Sequence, residues 1–321
     1  MTAPSPKDVT IAIIGSGLVG QGWAISFARG GCNVRLWDND PEAPKRAVAG
    51  IPAALKELAD NDLLDEDAAV VAGRIAAVGS IEAALDGAGH VQENAPEDVE
   101  IKKQVTNRIA TIAGPETVIA SSTSSLMPSL FTEQAPGRDR CVVGHPLNPP
   151  YLTPAVEIVP APWTAPSTVE KARALYAAIG HSPIVLEREI DGFVVNRLQG
   201  ALLHEAFRLV ADGYAKAEDI DRAVRDGLGL RWSFMGPFET IDLNAPGGIC
   251  DYVARYEGMY QRSAEQQKET RDWIPALEAG IEAERAAALP RNAIAERQAW
   301  RDRRLTALAA HRKAAERDIG R

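Results

Sequence analysis

Residues 10–38, TIAIIGSGLVGQGWAISFARGGCNVRLWD, carry the strongest indication of the fold. A short apolar run, Thr10–Ile14, leads through a glycine-rich turn into a helical stretch, Leu18–Arg29, and then into a second apolar run, Asn33–Trp37. Short, almost wholly apolar strands are typical of a parallel sheet that is covered on both faces. The order strand, turn, helix, strand therefore predicts the start of a doubly wound α/β domain.

The turn itself fits the pattern G-x-G-x-x-G, which indicates a dinucleotide site when a strand precedes it and a helix follows. The first glycine makes the tight turn, the second lets backbone approach a pyrophosphate, and the third lets helix and strand pack closely. Free N–H groups at the start of the helix favour the anion. We therefore predict a Rossmann-type nucleotide site that is built from Gly15, Ser16, Gly17, Leu18, Val19 and Gly20.

Cofactor choice is predicted from Asp38, which ends the second strand and lies 18 residues after Gly20. A carboxylate there accepts hydrogen bonds from the ribose hydroxyls and repels a 2′-phosphate. Asn39 and Asp40 follow, and we expect no Arg in position to hold that phosphate. The cofactor is therefore expected to be NAD. The alternative is a glycine turn followed by a surface Asp, and the strand–turn–helix context argues against it.

Further strands and helices are predicted up to about residue 190, and only helices beyond it. We expect an N-terminal Rossmann-like domain, residues 1–190, followed by an all-helical domain, residues 191–321, for substrate binding and dimerisation. The predicted strands are Ile75–Val78, His90–Asn94, Val118–Ser121, Cys141–Gly144, Ala155–Val159 and Ile184–Leu186. The predicted helices are Asp98–Ile112, Ser167–Ile179, Val194–Asp212, Ala217–Gly227, Pro237–Tyr256 and Pro290–Arg321.

Charge and cysteine content narrow the possible ligands. A formal charge of −9 in 321 residues opposes binding to nucleic acid or to an anionic membrane surface, so a small-molecule ligand is expected. The three cysteines are far apart and form no C-x-x-C pair, which argues against a disulfide framework and a metal site. We interpret them as buried thiols. With neither an apolar signal segment nor a long apolar span, a cytoplasmic location is expected.

A base for alcohol chemistry is suggested by His145, which follows an apolar strand. Loops at the carboxyl ends of parallel strands are where ligands bind in such sheets. Twelve residues later, Glu157 lies alone in an apolar run, and a buried Glu needs a partner such as His. The alternatives are a His satisfied within the core and a Glu that faces water from an edge strand.

Five separated motifs resemble the 3-hydroxyacyl-CoA dehydrogenase superfamily, in that family's order and over nearly the whole chain. Some further residues, 227–232, 243–245 and 297–302, are similar to its lambda-crystallin and L-gulonate 3-dehydrogenase branch. The five motifs are Asn94–Glu97, Ser122–Leu126, His145–Pro149, Asp191–Arg197 and Met235–Glu239.

The resemblance implies a role for each matching residue. It makes His145 the acid/base and Glu157 its partner, while Ser124 and Asn196 hold the reacting oxygen. Three further positions match cofactor contacts, namely Glu97, Lys102 and, beside the nicotinamide, Asn148. Taken singly, Ser124 and Asn196 have an alternative as helix caps or turn residues.

The resemblance also implies a reaction, the NAD-dependent oxidation of the 3-hydroxyl of a small hydroxy acid, with L-gulonate as the expected substrate. Oxidation of a 3-hydroxyacyl-CoA or of L-carnitine is the alternative, and a non-catalytic, crystallin-like structural protein is an alternative of another class. Arg231 is expected to bind the substrate carboxylate, unless it pairs with Asp226 or covers Trp232. A homodimer is expected because helical domains of this superfamily pair with each other.

Overall fold

A computed structural model describes residues 6–320, in which eight strands form a single sheet. The order of the strands across the sheet is β3-β2-β1-β4-β5-β6-β7-β8. Their bounds are β1 Thr10–Ile14, β2 Asn33–Trp37, β3 Ile75–Ala77, β4 His90–Glu93, β5 Val118–Ser121, β6 Cys141–Pro146, β7 Ala155–Pro160 and β8 Ser182–Val185. The predicted doubly wound sheet is therefore confirmed, with small differences at the strand ends.

One pair of neighbouring strands departs from the parallel pattern. β6 and β7 run antiparallel, whereas the other neighbouring pairs are parallel. Only residues 147–154 connect them, and a parallel crossover needs about a dozen residues or more. The short connection therefore turns the chain back on itself, and the register places His145 opposite Glu157.

Seven helices accompany this sheet in the described part of the chain. Four of them, the second, third, fourth and sixth, were not predicted. In the second, Pro52 removes one helical hydrogen bond. Burial of Ala47, Ile51, Leu55 and Leu58 along one face stabilises it nevertheless. The bounds are α1 Leu18–Arg29, α2 Ala43–Asp60, α3 Ala68–Gly73, α4 Ile81–Leu85, α5 Val99–Ile112, α6 Ser129–Thr132 and α7 Pro166–Ala178.

The main apolar core lies between the sheet, α1, α2 and α7. Trp23 and Phe27 of α1 stack with ring centroids 5.2 Å apart, and Tyr176 of α7 packs against both rings. Cys32 and Cys141 are buried free thiols, as interpreted from the sequence, whereas Cys250 is exposed, so that interpretation was wrong for one of the three.

The second half of the chain is helical. Its helices are α8 Val195–Ala211, α9 Ala217–Arg222, α10 Gly229–Trp232, α11 Pro237–Leu243, α12 Gly248–Gln266, α13 Ile274–Ala276, α14 Glu282–Ala288 and α15 Ile294–Asp318. By internal contacts one unit runs to Asn196 and includes Arg301–His311, and the other comprises Arg197–Trp300 and the chain from Arg312. Between residues 6 and 320, no helix is long and apolar enough to cross a membrane.

Three helices of this region differ from their predicted bounds. The predicted helix Pro237–Tyr256 is two helices, because Pro246 lacks an N–H and Gly248, two residues later, adopts φ +72°. The predicted helix Ala217–Gly227 passes into a π-helical turn at Ala223–Leu228. The last helix begins at Ile294, after a short 3₁₀ turn, and the predicted end Arg321 lies outside the described residues.

Candidate active site

The glycine turn has the geometry that a pyrophosphate requires. Gly15 adopts φ +93°, and a Cβ on it would lie 2.8 Å from the carbonyl oxygen of Asn94. A Cβ on Gly20 would lie 2.0 Å from the Gly15 carbonyl oxygen, so only glycine lets α1 pack this closely. Beside Gly17 the same position is open, and no side chain caps α1. The open space and the uncapped N–H groups therefore fit a bound phosphate.

Asp38 lies at the end of β2 and contacts this turn directly. Its Oδ2 accepts hydrogen bonds from the Ser16 N–H at 2.7 Å and from the Ser16 hydroxyl at 3.0 Å. Its Oδ1 accepts a bond from the Asp40 N–H at 3.1 Å. The carboxylate is thus held beside the glycine turn, where the sequence places the ribose.

One Arg lies closer to this position than the sequence indicates, although it is paired with Asp40. Arg46, on the first turns of α2, donates to the Oδ2 atom of Asp40 at 2.6 Å. The sequence pattern missed it because Arg46 is eight residues beyond Asp38 and is brought back by a helix that was not predicted.

Lys102 supports the loop that follows β4. Its side chain is 1% exposed, and its ammonium donates to both carboxylate oxygens of Glu93 at 3.1 Å and to the Ala95 carbonyl at 3.2 Å. The Ala95 N–H also binds Glu93. The contacts that the structure describes for Lys102 are thus internal ones, and a direct contact with the cofactor stays a prediction.

Glu97 organises the turn that carries Ser124. Its Oε1 accepts bonds from the Thr123 hydroxyl at 2.6 Å and from the N–H groups of Ser124 and Ser125 at 3.0 and 3.1 Å. Burial opposes its ionisation, but these bonds and the charge of Lys102 hold the pKa of the carboxyl below its usual value. Ser124 itself is exposed and precedes α6 by five residues, so it does not cap that helix.

The pair predicted from the sequence is present. His145, 6% exposed, contacts Glu157 through Nδ1 and Oε2 at 2.7 Å. Glu157 is fully buried, and β8 lies beyond its strand, so it is not an edge residue facing water. Its Oε1 accepts the N–H groups of Val194 and Val195 at 2.7 and 2.9 Å. The carboxylate is therefore bound both by the imidazole and by the start of α8.

These contacts determine the state of both groups. Burial raises the pKa of Glu157, but the bond from His145 and the two N–H groups outweigh it and hold that pKa below its usual value. An ionised carboxylate only accepts hydrogen bonds, so Nδ1 of His145 carries the proton. In the neutral imidazole Nε2 is then the acceptor nitrogen, and within residues 6–320 it has no described hydrogen bond. Such an imidazole can accept a proton from an alcohol.

Asn196 and Ser124 form a second contact. The Asn196 amide donates to the Ser124 carbonyl oxygen at 2.6 Å, and its neighbour Val195 donates to Glu157. The four predicted catalytic residues therefore form two hydrogen-bonded pairs, which the peptide chain joins at Val195–Asn196. In the described residues the Ser124 hydroxyl has no hydrogen-bond partner, which leaves it available to a substrate.

Asn148 is exposed on the loop between β6 and β7, after the base. This loop is held against α1 at two points. A Cβ on Gly22 would lie 2.5 Å from Cδ of Pro150, and Arg29 donates to the Tyr151 carbonyl oxygen at 3.2 Å. Asn148 therefore projects from a fixed loop next to the helix that follows the glycine turn.

Arg231 lies in the helical unit, on α10, and is partly exposed. The alternative of a pair with Asp226 is wrong, because Asp226 binds Arg225 instead, at 2.8 and 2.7 Å. Over residues 6–320 the Arg231 guanidinium makes no ion pair. It is therefore free to bind an anion.

A buried polar network was missed by the sequence reasoning. Tyr176 donates to Gln92 at 2.7 Å, and Gln92 donates to the Gly144 carbonyl at 3.1 Å and to the Ser122 hydroxyl at 2.7 Å. Ser122 in turn donates to Asn94 at 2.8 Å. The network thus joins Gly144, which precedes His145 in β6, to Asn94 beside the glycine turn. Three polar residues in the buried strand β4 were the available signal.

Comparison with known proteins agrees with this geometry. The NAD-binding domain of 3-hydroxyacyl-CoA dehydrogenase matches residues 10–190, and the C-terminal domain of the same family matches residues 192–285. The chain belongs to the 3-hydroxyacyl-CoA dehydrogenase family. It is accordingly an NAD-dependent oxidoreductase that acts on a hydroxyl group, and both the predicted family and the predicted cofactor are confirmed.

Individual relatives of this dehydrogenase include two curated proteins. It is 42% identical over 263 residues to the lambda-crystallin of Oryctolagus cuniculus, covering 81% of each chain. It is also 42% identical over 234 residues to an L-carnitine dehydrogenase of Pseudomonas sp., covering 73% of this chain and 72% of the relative. A solved structure of a 5-dehydrogenase of 5-formyl-3-hydroxy-2-methylpyridine 4-carboxylic acid (FHMPC), an NAD+-dependent dismutase, matches with a TM-score of 0.80 and 30% identity. The match covers 93% of this chain and 96% of that one.

Proposed function

We propose that this dehydrogenase oxidises the 3-hydroxyl of a small, free hydroxy acid, and that the acid is L-gulonate. The observation that carries the proposal is the pair His145–Glu157, joined at 2.7 Å, with an imidazole nitrogen left open. The intact pair also argues against a purely structural, crystallin-like role, since a buried carboxylate that orients a base has no use in bulk protein.

The proposed reaction assigns one task to each residue. Nε2 of His145 takes the proton of the substrate hydroxyl, and Glu157 stabilises the imidazolium that results. The Ser124 hydroxyl and the Asn196 amide donate to the same oxygen as it gains charge. NAD, when bound, supplies the hydride acceptor. A 3-keto acid left with a free carboxyl group is prone to lose carbon dioxide after oxidation.

Cofactor binding is proposed to rest on the glycine turn and on Asp38, whose carboxylate is already held beside Ser16. Asn148 is proposed to border the nicotinamide. Glu97 and Lys102 shape the cofactor pocket through the loops that they fix. A domain boundary at residue 190 accompanies this assignment.

Selection of a free carboxylate is proposed to rest on Arg231. A guanidinium binds a carboxylate through two parallel hydrogen bonds, which a thioester cannot provide. Arg231 has the freedom for this, because its nearest acid on the chain, Asp226, is already paired. The FHMPC 5-dehydrogenase structure supports an acid substrate, since its name describes a carboxylic acid.

A panel of substrates tests the proposal. NAD reduction is measured with L-gulonate, 3-hydroxybutyrate, L-carnitine and 3-hydroxybutyryl-CoA, for the parent and for Arg231→Met. We expect L-gulonate to give the highest kcat/KM, and Arg231→Met to raise its KM by about tenfold or more, since a charge-assisted bond contributes about 1.5–3 kcal/mol. An equal KM in parent and variant contradicts the role of Arg231, and activity with the thioester alone contradicts the substrate class.

L-Carnitine is the second candidate, because an L-carnitine dehydrogenase is 42% identical to this chain. Carnitine carries the same carboxylate but adds a quaternary ammonium, which aromatic faces bind well. A higher kcat/KM for carnitine than for L-gulonate decides in its favour.

We also propose that the protein works as a cytoplasmic homodimer. Within the helical unit several large apolar side chains are more than half exposed, including Leu230 at 63%, Phe234 at 73% and Phe238 at 74%. Apolar area of this kind is typical of an interface. The cytoplasmic location rests on the three free thiols. Light scattering is expected to give twice the chain mass at micromolar concentration, and a monomeric mass contradicts the dimer.

A further inference from the structure

Four charged side chains follow Asp38 within eight residues, before and at the start of α2. The Asp40 N–H donates to Asp38 at 3.1 Å, and the Asp40 carboxylate accepts from Arg46 at 2.6 Å. Glu42 pairs with Lys45 at 2.6 Å on the same turn. These three carboxylates and two cations leave a negative formal balance at the end of β2.

Arg46 lies within the field of this cluster. Its hydrogen bond with Asp40 raises its pKa, and the charges of Asp40, Glu42 and Asp38 raise it further. The same bond lowers the pKa of Asp40. Asp40 therefore links Arg46 to Asp38, the carboxylate that the ribose would contact. It donates its N–H to Asp38 and accepts a hydrogen bond from Arg46.

We propose that Asp40 is a cofactor-specificity residue, which keeps Arg46 from binding a 2′-phosphate and thereby supports NAD over NADP together with Asp38. The proposal concerns only the nucleotide half of the cofactor site. It rests on the proposed position of the ribose at Asp38 and is independent of which alcohol is oxidised.

The position of Asp40 beside Arg46 matters more here than the strength of the ion pair between them. Arg is the residue that accommodates a 2′-phosphate in sites of this fold. Arg46 is 66% exposed in its side chain, so it can move, and an exposed ion pair holds it only weakly. However, if Arg46 moved to a phosphate it would leave the Asp40 carboxylate unpaired beside another anion. Asp40 thus pairs with a nearby guanidinium that could otherwise favour NADP.

The variant Asp40→Asn separates the two roles of this side chain. Oδ1 of Asp40 accepts the Glu42 N–H at 3.0 Å, and an Asn retains that acceptor. Oδ2 becomes an N–H₂ group, which cannot accept from Arg46. The turn is thereby kept while Arg46 is released.

Binding is measured by calorimetry with two probes that lack a nicotinamide, 5′-AMP and 2′,5′-ADP. We expect Asp40→Asn to bind 2′,5′-ADP about tenfold more tightly than the parent, since a guanidinium–phosphate contact is charge-assisted. Affinity for 5′-AMP should stay within about twofold. Adding Arg46→Met to Asp40→Asn should remove the gain.

A matched control is Asp60→Asn, which removes the same charge from an exposed ion pair with Lys56 at the far end of α2. That position is about 25 Å from the start of the helix, at 1.5 Å per residue. The proposal is overturned if Asp40→Asn gains no more than Asp60→Asn, or if the gain persists without Arg46. Because neither probe reacts, an error in the proposed substrate leaves these results unchanged.

Discussion

Replacing Glu157 by Gln exchanges one carboxylate oxygen for an amide N–H₂ group at the centre of the proposed site. In the parent, Oε1 accepts two N–H groups and Oε2 accepts the proton on Nδ1 of His145. A Gln side chain has one acceptor and one donor end. Oriented with its oxygen toward Val194 and Val195, it keeps both backbone bonds but presents N–H₂ to the imidazole. His145 must then carry its proton on Nε2, where it cannot act as a base.

The size of the loss in kcat depends on how many hydrogen bonds each of the two orientations of the introduced Gln amide can keep. The opposite orientation of the amide would sacrifice two backbone hydrogen bonds, each contributing about 1 kcal/mol, so about one molecule in thirty retains a usable base. Loss of the charge that stabilises the imidazolium lowers the rate by roughly another tenfold. We therefore expect kcat to fall by about 100- to 1000-fold, with KM and the affinity for NAD close to the parent values.

The assay is initial-rate NADH formation together with NAD binding by fluorescence, with nitrogen NMR of the imidazole as a direct view of the tautomer. Glu116→Gln is the matched control, because it makes the same chemical change at an exposed residue paired with Lys171. A kcat within about threefold of the parent, or an unchanged tautomer, would show that Glu157 does not set the tautomer of His145.

Three further predictions concern the cofactor turn and the core. Asp38→Ala should weaken NAD binding by about tenfold or more and narrow the preference over NADP, as measured by titration with both cofactors. Gly20→Ala should cost about 1–3 kcal/mol in the free energy of unfolding and reduce NAD affinity, because its Cβ would lie 2.0 Å from the Gly15 carbonyl oxygen. Gly50→Ala, on an open helix face, is its control and should not destabilise. Burial lowers the pKa of His90 to about 4. Between about pH 6.5 and pH 4 the His90 side chain is therefore protonated in the unfolded chain but not in the folded one. The free energy of unfolding should be constant in this respect above about pH 6.5 and fall by up to about 3 kcal/mol toward pH 4. His90→Gln should give a shallower pH dependence in urea unfolding, and an equal slope contradicts the assignment.

The sequence predicted elements whose local pattern agrees with their environment. β1, α1, β2 and β5 have the predicted bounds, because short apolar runs and glycine punctuation coincide there with burial. The helix α2 was missed because local preference, with Pro52 inside it, disagrees with the packing of its buried face. Tertiary contacts outweigh such a penalty, and no single-sequence pattern reports them.

The candidate site was predictable residue by residue, but its connections were not. His145 and Glu157 were paired from chemical need, whereas their register follows from the antiparallel β6–β7 pair, which the eight-residue connection at 147–154 could have indicated. The bonds from Val194 and Val195 to Glu157 depend on a turn in which Phe193 adopts φ +49°. A non-glycine residue in that region is uncommon, and sequence spacing does not foretell it.

The most direct test of the account compares the parent with His145→Gln in NADH formation from the hydroxy acid that the substrate panel selects, alongside NAD affinity measured without substrate. Loss of a general base lowers kcat by about a hundredfold or more and leaves cofactor binding intact, because His145 contacts Glu157 and not the glycine turn. We expect that outcome, and we expect the double variant that also carries Glu157→Gln to be no slower than His145→Gln alone. Turnover close to the parent level, or an equal loss of NAD affinity, would contradict the claim that His145 is the catalytic base.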